Sequence, residues 1–107
     1  MNSTPMARAA LALRGLSVGD AFGDQFFLAA ATVEARIATR TLPAAPWRWT
    51  DDTAMSLAIF DVLTTHESIA QDALAAAFAD GYQRDMARGY GGAAHRVLQD
   101  IHAGVGW

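Results

Sequence analysis

Apolar residues recur at helical rather than alternating spacing over most of the 107 residues, and the pattern predicts about four helices joined by long loops. Ser3-Thr4-Pro5 offers a capping hydroxyl followed by a first-turn proline, so a first helix starts there and runs to about Gly19. Leu11, Leu13, Leu16 and Val18, set among alanines, give it a broad side for burial, and Gly15 and Gly19 leave room for another backbone. Gly19 to Asp24 reads as the turn that leaves it. From Gln25 to Leu42 the β-branched residues are scattered, and the spacing does not decide between helix and extended loop.

Pro43 and Pro46 break regular structure, so Leu42–Trp49 is expected to be an irregular loop that delivers Trp47 and Trp49 to the next helix. Thr50 is placed to cap that second helix, with Asp51 and Asp52 in its first turn and an end near Thr65. Met55, Leu57, Ala58, Ile59, Phe60, Val62 and Leu63 are apolar nearly all round, as a helix at a domain centre requires. Ser68 and Gln71 have capping-box spacing before a third amphipathic helix ending near Met86. Arg88-Gly89-Tyr90-Gly91-Gly92 breaks the pattern, and Ala93, Val97, Leu98 and Ile101 mark a short fourth helix. The fold class expected is all-α, a single domain over residues 1–107.

Composition narrows the function classes. Eight cations, all arginine, against eleven acidic residues give a net charge of −3, which provides no general attraction for nucleic acid or an anionic membrane. The absence of cysteine removes disulfides and thiolate metal sites, and a cytoplasmic location is the default expectation. The apolar stretches are interrupted well before the roughly 20 residues a membrane span needs, and residues 1–13 lack the apolar core of a signal peptide. His66, His95 and His102 stand in no zinc-binding arrangement and read as packed or surface histidines. Trp47 and Trp49 can stack on a planar ligand or anchor their loop, anchoring being the simpler role.

The candidate chemistry lies at Thr50-Asp51-Asp52, where a hydroxyl and two carboxylates follow one another at a helix N-terminus. Such oxygen donors suit magnesium, manganese or calcium. A capping threonine and two aspartates complementing the helix dipole would account for the same residues without a metal.

Thr50, Asp51, Asp52, Thr53 and Met55, preceded by Gly15, Gly19, Asp20, Ala21 and Gly23, make the chain resemble the N-terminal portion of the ADP-ribosylglycohydrolase family, which includes dinitrogenase reductase-activating glycohydrolase. The resemblance implies an orthogonal helical bundle holding two magnesium or manganese ions and hydrolysing the glycosidic bond of an ADP-ribosylated protein or small molecule. It assigns Thr50, Asp51 and Asp52 to the metal, with Asp51 and Asp52 catalytic. Asp20, Gly91 and Gly92 fall on the substrate side, with the glycine amides able to cradle phosphate. Asp20 serves equally well as a carboxylate behind the metal ligands or as a turn or cap acceptor.

Two departures stand out. Phe27 occupies the position at which many members carry an acidic residue, leaving Asp24 or Gln25 as substitutes through a shifted loop, and no Asp-x-Asp-Thr motif follows Asp61. The expectation is therefore an incomplete hydrolase that needs a C-terminal half, with self-association through its apolar faces. The alternative is a non-catalytic helical module binding ADP-ribose or a protein partner.

Overall fold

The computed structural model describes residues 2–107, and these form five helices and no strand: α1 (Pro5–Asp24), α2 (Ala30–Thr39), α3 (Asp51–His66), α4 (Gln71–Arg84) and α5 (Gly92–His102). The all-α class follows the sequence pattern, with one helix more than the four it predicts. That helix is α2, in the stretch where scattered β-branched residues left the choice open.

Local chemistry sets the element ends. Thr4 Oγ1 accepts from the Ala7 amide and Pro5 opens the first turn of α1. This helix continues through Gly19 and Gly23 to Asp24, five residues beyond the end the glycines suggested. Neither glycine has a positive φ, and a Cβ added at either, or at Gly15, would meet nothing within 4 Å, so no backbone packs there. Glycine inside a helix costs only about 1 kcal/mol relative to alanine, too little to stop it without a competing conformation. Ser68 does not cap α4: its hydroxyl donates to the His66 carbonyl at 3.4 Å, and the cap position falls at Ala70.

α3 is the central helix, packed between α1 on one side and α4 on the other, and α5 packs on α4. α2 packs against no other helix. The result is a flat layer of 46 × 45 × 18 Å with a radius of gyration of 16.7 Å. A chain of this length closed around one core has a radius near 13 Å. The buried residues are correspondingly few, centred on Tyr82, Tyr90 and Leu98 with Met55, Phe78 and Ala94 against them. Leu11, Leu16 and Val18, expected on a buried side of α1, are exposed because only α3 covers that helix.

A candidate cation site at the N-terminus of the central helix

The central helix begins where three chain segments meet, and each of its first three amides has a partner supplied by a different segment. The Asp51 amide donates to the carbonyl of Arg88 at 2.8 Å. The Asp52 amide donates to Thr50 Oγ1 at 3.4 Å, the weakest of the three. The Thr53 amide donates to Asp20 Oδ2 at 3.3 Å. These are the donors a helix leaves open at its start. With all three engaged, the N-terminus of α3 does not offer them to a phosphate.

Asp20, on the last turns of α1, is the organising acceptor. Its carboxylate receives the Thr50 amide at 2.7 Å, the Thr50 hydroxyl at 2.6 Å and the Thr53 hydroxyl at 2.6 Å besides the Thr53 amide. Burial works to raise the Asp20 pKa, but the side-chain and backbone hydrogen bonds from Thr50 and Thr53 outweigh it and hold the group below the ordinary carboxylate range. Thr53 is nearly fully buried, so its hydroxyl has no water to turn to.

Asp51 and Asp52 line a cleft of about 380 Å³ together with Asp20, Asp24, Thr50, Phe27 and the glycines Gly19, Gly23 and Gly89. Desolvation, then the negative charges of Asp51 and Asp20, push the Asp52 carboxyl above its usual pKa. A positive charge in the cleft would act in the opposite direction on this carboxyl. Thr50 Oγ1 gives its proton to Asp20 and receives the Asp52 amide, which leaves one lone pair for a ligand.

The donor set of Thr50, Asp51 and Asp52 therefore has the chemistry of a hard-cation site. Among the described residues, however, no group of three or more His, Asp or Glu side chains converges to hold a metal ion. Hard cations take about six to eight oxygens, so two carboxylates and a hydroxyl, each binding through one oxygen, fill at most half a shell. Asp24 lines the same cleft and Phe27 stands at its edge, 86% exposed.

Gly91 and Gly92 lie apart from this lining. Gly91 is the N-cap residue of α5 and Gly92 its first residue, both exposed, and no side chain caps that helix. The glycine of this loop that lines the cleft is Gly89, whose φ of +88° only glycine adopts without strain. The sequence pattern marks Gly89 as one of the loop glycines, while the substrate role expected there falls on Gly91 and Gly92. The tryptophans both anchor. Trp47 donates from Nε1 to the Pro43 carbonyl and packs on Phe22, while Trp49 lies under the Arg88 guanidinium. His95 accepts or donates at Nδ1 with the Tyr82 hydroxyl, 2.6 Å away, and serves the core.

The fold is all-helical with paired aspartates at the start of its central helix, and sequence comparison gives the family. A family model described as ADP-ribosylglycohydrolase matches residues 1–107, and the chain belongs to that family. No curated protein and no solved structure matches it. Among the described residues no helix is long and apolar enough to cross a membrane.

Proposed function

We propose that the chain forms the N-terminal part of a metal-dependent hydrolase that cleaves the glycosidic bond of ADP-ribosylated proteins or small molecules in the cytoplasm. The observation that carries this reading is the division of labour among the aspartates. Asp20 is committed to Thr50 and Thr53, so Asp51 and Asp52 face the cleft without a cationic partner and repel one another. Family membership supplies the reaction class.

In this reading Thr50, Asp51 and Asp52 hold magnesium or manganese, two ions in the complete site. A hard divalent cation supplies, when bound, polarisation of the ribose oxygens and activation of water. The protein's own residues orient and exclude. Asp20 fixes the Thr50 hydroxyl and the first turn of α3, Gly89 lets the 88–90 segment approach Asp51, and Phe27 stands at one edge of the cleft. Gly91 and Gly92 present the open amides of α5 to the pyrophosphate. The sequence contains no Asp-x-Asp-Thr, so Thr50, Asp51 and Asp52 supply only part of the ligand set this reading needs.

Calorimetry with ADP-ribose and magnesium tests the proposal. Magnesium-dependent binding of ADP-ribose, lost in Asp51→Asn, supports it. Binding that is indifferent to magnesium and to Asp51 favours the second reading, a non-catalytic module that recognises ADP-ribose, for which the uncapped start of α5 is the supporting feature.

A further inference from the structure

We propose that Arg88 is a positioning residue that holds the Trp49–Asp52 turn in the shape which presents Asp51 and Asp52 to the cleft; this rests on the cation-site reading above. Arg88 lies in the non-helical segment between α4 and α5, 37 positions from Asp51, and its side chain is only 18% exposed. Its backbone carbonyl accepts the Asp51 amide at 2.8 Å. Its Nη1 donates to the Trp49 carbonyl at 3.0 Å, and its Cζ sits 3.3 Å from the centroid of the Trp49 ring. Arg88 thus grips the residues on either side of Thr50 through their backbone, and makes no hydrogen bond to the Asp51 or Asp52 carboxylates that would neutralise the site.

The grip is itself held. Asp85 Oδ2 accepts from Arg88 Nε at 2.7 Å, the one ion pair among the described residues, and Arg48 donates to the Ala87 carbonyl beside it. On the far side the Tyr90 ring is buried edge-on against Tyr82, centroids 5.0 Å apart, which fixes the segment in the core. Gly89 makes the bend between the two anchors, and a Cβ there would stand 3.9 Å from Asp51 Oδ1. Only a planar guanidinium can stack on Trp49 while donating in-plane to Trp49 and Asp85 at once; a lysine ammonium cannot.

The test compares wild type with Arg88→Lys and Asp85→Asn by manganese affinity from electron paramagnetic resonance, Asp51 amide exchange by NMR, and far-ultraviolet circular dichroism. Arg88→Lys is expected to weaken manganese binding about tenfold, the effect of losing a residue that orients a ligand, and to speed Asp51 exchange, with helical content unchanged. Wild-type affinity and exchange in a folded Arg88→Lys protein overturn the proposal. If wild type binds no manganese, the cation-site reading fails, and Asp51 exchange alone decides on Arg88: faster exchange upholds the clamp and unchanged exchange overturns it. If Arg88→Lys loses its helical signal, Asp85→Asn carries the test, and wild-type values for it on both readouts overturn the proposal.

Discussion

Thr50 turns its amide onto Asp20 Oδ2 at 2.7 Å and its hydroxyl onto Oδ1 at 2.6 Å, so one carboxylate on α1 fixes both the backbone and the side chain of the residue that opens α3. The Thr53 amide and hydroxyl complete the arrangement one turn later. The α1–α3 contact is in this way polar at its functional end, and the acidic pair Asp51 and Asp52 is held between two residues that answer to Asp20.

Replacing Asp20 should cost stability out of proportion to its size. Asp20→Asn keeps one acceptor and brings N–H donors against the threonine donors, and a loss of about 2 kcal/mol is expected in urea unfolding. Thr53→Val removes one hydroxyl donor and should cost about 1 kcal/mol. Because both changes break the same bond, the double variant should lose less than the two single losses added. Strict additivity would show that the bond contributes nothing.

The two perturbed carboxyls should act on stability in opposite directions with pH. Asp20 has a folded pKa below 3.8. Its contribution is therefore present above the unfolded value and is lost as pH falls through the folded one. Asp52 is raised above 3.8, so its protonated form is favoured in the native chain and its repulsion appears as pH rises through the folded pKa. Asp52→Asn should then raise the melting temperature near pH 7 slightly, the residue being exposed, and leave acid stability unchanged. Saturating magnesium should cancel that advantage. A lower melting temperature for Asp52→Asn at neutral pH without metal would count against the repulsion.

The flat layer should self-associate. Its accessible surface is 7421 Å², against roughly 5,800 Å² for a compact protein of this mass. Leu11, Val18, Ile37, Val97 and Trp107 are each more than half exposed. Sedimentation at increasing concentration should show species heavier than 11.4 kDa. A single monomeric species at all concentrations would contradict this.

How much of this was legible in the sequence depended on whether the cause was local. The Thr50 cap and the start of α1 are short-range chemistry and fell where the residues put them. The apolar run at 55–63 marked the central helix, which packs on α1 and α4, although within it only Ala58 and Val62 are buried and Leu57 is exposed. The end of α1 was misplaced at Gly19, since an exposed glycine tolerates a helix as readily as it ends one. Ser68 had the right spacing for a capping box but the chain turned two residues later, at Ala70. Asp20 was legible as an acceptor and not as the partner of Thr50 and Thr53, 30 and 33 positions away; the Arg88 stack on Trp49 left no trace, because neither residue's neighbours encode the other.

Manganese binding followed by electron paramagnetic resonance, in wild type and in the paired variant Asp51→Asn/Asp52→Asn, tests the central claim most directly. The site described here predicts saturable binding by the wild-type chain that disappears in the folded variant. No saturable binding by wild type, or equal binding by both, would contradict it.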